Sequence, residues 1–166
     1  MLIECSLFVF GFISYCLIIC PLIDYLDIWF FSDSRIGLTN LTSKQKDELI
    51  CKILDWSIIN IQMNRKRQTK PVLFISKRKK TKYLGNYQFN NKRITIYILK
   101  HSSIEELCNT IIHEYVHHLQ LRSIKDDIRY NKLTKQKSYW ENDYEVEART
   151  IASNYTNQCL RSLENV

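Results

Sequence analysis

The stretch His113-Glu114-Tyr115-Val116-His117 decides how this chain of 166 residues folds and what it can bind. In an α-helix, residues four apart lie one turn apart on the same face, so both imidazoles can reach one metal ion. The glutamate after the first histidine then lies beside an open coordination position, where a water can bind. We therefore predict a zinc site with His113 and His117 as ligands and Glu114 as general base.

The neighbours of this motif favour a buried helix over a chance match. Residues 110–119 contain no formal charge other than Glu114. Uncharged and apolar neighbours of this kind bury the back of a metal-binding helix. The alternative is an ordinary amphipathic helix that carries surface histidines, and the uncharged run disfavours it.

The composition restricts the third ligand. The chain has four histidines and none follows this helix, so a distant third histidine is excluded. Cys159 is the one cysteine downstream, and a thiolate would be unusual beside two histidines in a hydrolytic site. A carboxylate from a second helix is therefore the economical ligand, and residues 144–152 have the pattern of such a helix.

Two glutamates on this second helix are candidates, Glu145 and Glu147. They lie about 200° apart around a helix, so only one of them can face the metal. Glu145 shares its face with Ala148 and Ala152, whose small side chains allow the second helix to pack closely on the first. We therefore favour Glu145 as the third ligand. The alternative for either glutamate is a solvated helix face.

With both motifs in place, the chain resembles the gluzincin-like metallopeptidases, in which HExxH is followed after a loop by a helical Glu-x-x-Ala. It is most similar to the ImmA/IrrE-type family, since Glu145-Val146-Glu147-Ala148 matches that family's second motif. The resemblance covers about residues 70–160. It implies a zincin fold, one Zn²⁺ per chain and hydrolysis of peptide bonds in a protein or peptide substrate.

One position departs from related peptidases. Membrane-bound zinc peptidases share an E-x-x-A-D form of the second motif, and Arg149 stands where those enzymes have aspartate. A carboxylate that would orient a ligand histidine is therefore missing or comes from elsewhere. Asp143 is a candidate replacement.

The implied activity needs a group besides zinc that stabilises the oxyanion. Tyr130, Tyr139 and Tyr144 are candidates for this role or for substrate binding, and the sequence does not choose among them. An extended substrate can add to the edge of the small sheet, along the strand expected at residues 83–89. His118 points about 100° away from the second ligand, so we expect a surface or supporting residue.

The remaining pattern predicts an α+β fold: a helix, a small mixed or antiparallel sheet, the HExxH helix and the glutamate helix. Thr42 and Gln45 have the spacing of a capping box that opens the first helix. Ser103 and Glu106 have the same spacing at the start of the HExxH helix. Between the two site helices, residues 123–139 are expected to form a loop that shapes the cleft.

Three strands are expected after the first helix, at residues 72–75, 83–89 and 93–99. The last of them alternates apolar and polar or aromatic side chains, as a strand with one buried face does. Asn90-Asn91 predicts a hairpin turn between the second and third strands.

The N-terminal segment predicts a membrane anchor. Residues 5–23 contain no charged side chain, and such a helix is about long enough to cross the hydrocarbon core. We expect residues 1–31 to form an apolar helix that anchors the chain by a single pass, residues 32–41 a linker, and residues 42–166 the metallopeptidase domain. The basic remainder favours a cytoplasmic domain. The alternative is a buried core helix in a soluble cytoplasmic protein.

Positive charge is concentrated in one part of the chain. Residues 61–100 contain 12 of the 24 Lys and Arg residues and no Asp or Glu, in a chain of net charge +7. The simplest interpretation of this basic stretch is an edge of the sheet that faces solvent. An anionic membrane surface or nucleic acid could also bind there, although no nucleic-acid-reading motif is present.

Two other functions therefore stay open beside the metallopeptidase. The chain could be a catalytically silent zincin-fold protein that binds or regulates a partner. It could also be a membrane- or nucleic-acid-associated interaction module that uses the basic stretch at residues 65–100.

Overall fold

Four α-helices and a three-stranded mixed sheet form an α+β fold in the computed structural model, which describes residues 37–63 and 69–164. The elements are α1 (Ser43–Asn60), β1 (Val72–Ser76), β2 (Gly85–Gln88), β3 (Arg93–Tyr97), α2 (Ile104–Gln120), α3 (Ile124–Gln136) and α4 (Asp143–Glu164). The expected anchor at residues 1–31 lies outside the described residues. Among the described helices, none is both long enough and apolar enough to cross a membrane.

The sheet has β3 at its centre and the strand order β1-β3-β2. β1 runs parallel to β3, and β2 runs antiparallel to it. Ile94 and Ile96 of β3 are fully buried, and both β2 and β3 pack against α2. β2 is therefore an edge strand of the described sheet and lies beside α2.

The predicted hairpin between the second and third strands is confirmed. Its turn is a short 3₁₀ helix at Phe89–Asn91, followed by Lys92 in the left-handed region with φ 48°. Both strands are shorter than the sequence suggested, because residues 83 and 84 precede β2 and Ile98–Lys100 forms another 3₁₀ turn after β3.

Helix α1 begins where the capping box predicted. The hydroxyl of Thr42 accepts a hydrogen bond from the backbone N–H of Gln45, and the Gln45 side chain accepts from the backbone N–H of Thr42. The apolar positions of this helix face the core, as their spacing predicted. The buried ones are Leu49, Ile50, Ile53 and Leu54.

Helix α2 lies at the centre of the domain. It buries 13 of its 17 residues, because α1, α4 and the sheet all pack against it. Ser103 caps its N-terminus by accepting from the backbone N–H of Glu106. A capping box would have the Glu106 carboxylate accept a hydrogen bond from the backbone N–H of Ser103. It accepts instead from the backbone N–H and the hydroxyl of the preceding residue, Ser102.

Helix α4 packs on α2 along a stripe of mostly small residues. The buried residues of α4 are Glu145, Ala148, Ala152, Thr156 and Cys159. Their spacing of three or four residues places them on one face. Both alanines are completely buried, so the two helices approach closely and carry Glu145 towards the histidines.

The loop expected at residues 123–139 was wrong for most of its length, because this segment contains α3. Ser123 and Asp126 form a reciprocal capping box that begins the helix. No residue of this helix is buried, and Ile124 and Ile128 are exposed. A helix that does not face the core lacks the regular apolar spacing by which helices are recognised in a sequence. The capping box was the sequence feature that could have identified it.

Residues 37–41, within the expected linker, pack on the domain. They contain a 3₁₀ turn at Leu38–Asn40. Leu38 and Leu41 are both buried in the hydrophobic core. The ordered core therefore begins before α1.

Enlarging a small residue between α2 and α4 should separate these helices. We expect Ala152→Leu to lower the free energy of unfolding by about 1–3 kcal/mol, because the added carbons meet a filled interface. Val146 lies on the exposed face of the same helix, so Val146→Leu should change it by less than about 0.5 kcal/mol. Chemical denaturation measures both values, and equal effects would contradict the close packing.

Candidate metal centre

His113, His117 and Glu145 converge on one point between α2 and α4. The Nε2 atoms of the two histidines are 3.1 Å apart. Glu145 Oε2 lies 3.3 Å from His113 Nε2, and Glu145 Oε1 lies 3.4 Å from His117 Nε2. This buried group can hold a metal ion.

These separations fit a tetrahedral site. When metal–ligand bonds are about 2.0–2.1 Å long, neighbouring ligand atoms of a tetrahedron lie about 3.3 Å apart. The measured distances of 3.1, 3.3 and 3.4 Å are close to that value. Three corners of a tetrahedron are therefore already in place in the protein.

Glu145 reaches the histidines because of where α4 begins. The side-chain oxygen of Asn142 accepts a hydrogen bond from the backbone N–H of Tyr144, and its backbone oxygen accepts from Val146. Asn142 is itself fully buried. The first turn of α4 is thus fixed against the domain, with Glu145 directed inward.

The two oxygens of Glu145 have different surroundings. The hydroxyl of Tyr130, from α3, donates to Oε1 at 2.7 Å. Oε2 is buried and receives no hydrogen bond from the described residues. A metal ion would give this oxygen the partner that it otherwise lacks.

Glu114 lies beside this group and against β2. A Cβ atom built on Gly85 would come within 2.8 Å of Glu114 Cγ and 3.0 Å of Glu114 Oε1. Glycine is therefore needed at this point of the strand, since any side chain would collide with Glu114. Burial raises the pKa of Glu114, as expected for a carboxylate enclosed in this way.

Glu147 faces away from the histidines and contacts Gln120 instead. Gln120 Nε2 donates to Glu147 Oε2 at 2.8 Å, and Gln120 Oε1 lies 2.8 Å from His117 Nδ1. Sequence reasoning missed Gln120. Its position three residues after His117, on the same helix face, is the signal that could have identified it.

The proposed replacement of the missing aspartate by Asp143 was wrong. Asp143 is exposed, and its carboxylate lies 3.3 Å from Lys137 Nζ at the surface. Arg149 instead donates to the backbone oxygens of Tyr139 and Trp140 and lies over both rings. It therefore fixes the segment before α4.

The three candidate tyrosines occupy different places. Tyr130 and Tyr139 line the cleft in front of the histidines, whereas Tyr144 does not. Burial and the nearby charge of Glu145 raise the pKa of Tyr139 to about 12, and burial with the hydrogen bond to Glu145 raises that of Tyr130 further. Both hydroxyls therefore keep their protons near neutral pH.

The other two histidines are buried supports. His118 is not at the surface: its Nε2 lies 2.8 Å from the backbone oxygen of Thr69 and its Nδ1 3.2 Å from the hydroxyl of Tyr87. It thereby connects α2 with β2. His101 follows a 3₁₀ turn, and its Nδ1 lies 3.1 Å from the backbone oxygen of Tyr97.

The metal-ligating candidates open onto a cleft of about 440 Å³. One wall consists of residues 82–87, which include the first three residues of β2. The other wall consists of Tyr130, Tyr139, Trp140 and Arg149. Trp140 is 70 % exposed, an unusual exposure for so large an apolar side chain.

The charges of the cluster depend on one another. Burial disfavours the charged form of His117, but hydrogen bonds with Glu145 and Gln120 and the charge of Glu114 outweigh it and raise the pKa of His117. Burial favours the neutral acid of Glu145, yet the adjacent rings of His113 and His117 and the hydrogen bond from Tyr130 lower its pKa. Without metal, a protonated His117 therefore forms an ion pair with Glu145.

No protein-family model, curated protein or solved structure matches this chain.

Substitution of the clustered residues should remove a bound metal selectively. We expect the full chain to bind one zinc ion, His113→Ala and His117→Ala each to lose it, and Glu145→Gln to weaken it far more than Glu147→Gln. The reason is that Glu147 faces away and a glutamine there still offers an acceptor to Gln120. Metal analysis and chelator competition measure this.

Stoichiometric zinc in the double variant His113→Ala/His117→Ala would contradict this prediction. Equal losses in Glu145→Gln and Glu147→Gln would contradict the placement of α4.

The ion pair should make stability depend on pH in the metal-free chain. The raised pKa of His117 means that its contribution is complete below the ordinary value of 6.5 and is lost as pH rises through the folded value. The lowered pKa of Glu145 keeps the carboxylate ionised well into the acid range. Between wild type and Glu145→Gln, we therefore expect a larger difference in free energy of unfolding at about pH 6 than at about pH 9.

Denaturation in the presence of a chelator measures this difference, and the other titrating groups are common to both proteins. A difference that grows from pH 6 to pH 9 would contradict the ion pair.

Proposed function

We propose that this chain is a zinc-dependent metallopeptidase that hydrolyses peptide bonds. The observation that carries the proposal is the convergence of two HExxH imidazoles and a helical carboxylate on one point, with Glu114 beside them. The residue order along the chain and the second-helix motif resemble the gluzincin-like, ImmA/IrrE-type peptidases, and a zincin fold is part of this proposal.

Zinc suits this donor set better than calcium or magnesium does. Two imidazole nitrogens and one carboxylate oxygen are the ligands of many hydrolytic zinc sites, which keep a fourth position open. Calcium and magnesium prefer sites made of oxygen atoms alone. His113, His117 and Glu145 would hold the ion.

Each residue then has a defined task. A zinc ion in this site supplies Lewis acidity, which lowers the pKa of a water and polarises a peptide carbonyl. Glu114 accepts the proton of the attacking water and delivers it to the leaving amine. A carboxyl group beside the open position can make both transfers, since it accepts a proton when ionised and donates it when protonated.

The tyrosines divide between two tasks. Tyr130 is occupied with Glu145 at 2.7 Å, so it positions the third ligand. Tyr139 lines the cleft, is 49 % exposed and keeps its proton at neutral pH, so it is the better donor to an oxyanion or to substrate. Tyr144 is outside the cleft and packs edge-on against the ring of Tyr130.

The cleft suits an extended peptide. β2 is an edge strand of the described sheet and forms one wall, so a substrate can pair with its backbone and pass in front of Glu114. Trp140 and Tyr139 offer apolar surface on the opposite wall, and Lys82 and Arg149 make the two walls basic. We therefore expect substrates with apolar or acidic side chains near the scissile bond.

Replacing the proposed base should separate activity from metal binding. We expect Glu114→Gln to keep one zinc ion per chain and its fold, while cleavage of a peptide library falls by about 10²–10⁴-fold. The physical reason is that an amide of the same shape cannot accept the proton. Zinc content and cleavage rate are measured on the same preparations.

Equal cleavage by wild type and Glu114→Gln would contradict Glu114 as the base. Zinc-loaded wild type that cleaves no peptide would favour the catalytically silent binding or regulatory protein instead. Salt-sensitive binding of such a protein to anionic vesicles or oligonucleotides would favour the interaction module.

A further inference from the structure

Gln120 joins a metal-ligating histidine to the helix that carries the third ligand. It ends α2 and is buried, with 4 % of its surface exposed. Its Oε1 lies 2.8 Å from His117 Nδ1. Its Nε2 donates to the backbone oxygen of Tyr144 at 2.9 Å and to Glu147 Oε2 at 2.8 Å, both on α4.

These contacts fix which way the amide points. The backbone oxygen of Tyr144 and the carboxylate of Glu147 can only accept hydrogen bonds. A flipped amide would place the Gln120 oxygen against both acceptors and lose two hydrogen bonds. The hydrogen-bond partners alone therefore assign the two ends of the amide, with the oxygen facing His117 and the nitrogen facing α4.

The orientation of the amide in turn fixes the proton on His117. An amide oxygen can only accept, so Nδ1 of His117 must donate to it. A neutral imidazole with its proton on Nδ1 carries its lone pair on Nε2. Nε2 is the atom that faces His113 and Glu145, at 3.1 and 3.4 Å.

We infer that Gln120 and Glu147 form a positioning pair that holds His117 in the ring orientation and proton arrangement needed for metal binding. This inference rests on the proposed zinc site. The charge of Glu147 polarises the amide and strengthens its oxygen as an acceptor. An amide backed by a carboxylate thus does here what a single carboxylate does in many histidine metal sites.

The pair also explains a feature of the second motif. Glu145 and Glu147 lie on different faces of α4. One turn of this helix therefore supplies both the third ligand, Glu145, and the residue that holds Gln120, Glu147. Neither Arg149 nor Asp143 serves this role, since Arg149 contacts the segment before α4 and Asp143 contacts Lys137.

Removing the amide should weaken metal binding without removing a ligand. We expect Gln120→Met, which keeps the length of the side chain, to raise the zinc Kd by about 10–100-fold, the usual cost of losing a histidine's supporting partner. Gln158→Met is the matched control on the exposed face of α4 and should leave the Kd unchanged. Competition with a chromophoric chelator measures both in the full chain.

An exchange of the two side chains tests the direction of the hydrogen bonds. Gln120→Glu alone places two carboxylates together and should weaken zinc binding. Gln120→Glu combined with Glu147→Gln restores an acceptor for His117 and a donor behind it, but leaves the backbone oxygen of Tyr144 facing a carboxylate. Its Kd should therefore lie between that of Gln120→Glu and that of wild type, and a double variant that binds zinc no more tightly than Gln120→Glu alone would overturn the inference.

A spectroscopic readout covers variants that fail to fold. The chain has four histidines, so ¹⁵N labelling of histidine gives a simple NMR spectrum. In the zinc-loaded wild type, the Nδ1–H of His117 should exchange slowly with water because Gln120 holds it. Exchange as fast as that of free imidazole would overturn the inference.

The results also separate this inference from the proposed function. Wild type that binds no zinc overturns both. Wild type that binds zinc with the same Kd as Gln120→Met overturns the positioning pair alone, and the zinc site stands.

Discussion

The close approach of α4 to α2 is the constraint on which the site depends. Ala148 and Ala152 are completely buried between the helices, so a larger side chain at either position would push the helices apart. Because the helices meet here, the first turn of α4 carries Glu145 to the two histidines one turn apart on α2. A shift of about 1 Å would separate three ligand atoms that now lie 3.1 to 3.4 Å apart.

The same constraint concentrates charge in a buried place. Glu114 and Glu145 both lie in the interior, where two ionised carboxylates repel each other and are poorly solvated. In the metal-free protein, burial raises the pKa of Glu114 and the neighbouring carboxylates raise that of His117, and both shifts reduce this cost. A bound divalent cation would offset it directly, and would stabilise the fold by binding the native state alone.

Much of the domain could be predicted from periodicity and spacing. HExxH placed two imidazoles on one face of α2, and the small residues Ala148 and Ala152 on the face of Glu145 indicated which carboxylate lies towards them. The capping box at Thr42 gave the start of α1, and Asn90-Asn91 gave the hairpin. Each of these depends on residues close together in sequence, where local geometry is nearly fixed.

What escaped prediction depends on contacts between distant parts of the chain. Ser123 and Asp126 cap the first turn of helix α3, and Ile124 and Ile128 are exposed. The sequence of α3 therefore lacks the apolar spacing that would have predicted a helix. The close contact of Gly85 with Glu114 joins β2 to α2 and is invisible until the two elements meet. Asp143 was misjudged for the same reason, because only the fold shows that it faces solvent.

The ligand atoms around a bound metal give the most direct test of the proposed site. X-ray absorption spectroscopy of the zinc-loaded full chain reports the kind, number and distance of ligand atoms. We expect a four-coordinate site with nitrogen and oxygen at about 2.0–2.1 Å and the multiple scattering of two imidazoles. A sulfur shell at about 2.3 Å, or a site without imidazole scattering, would contradict it.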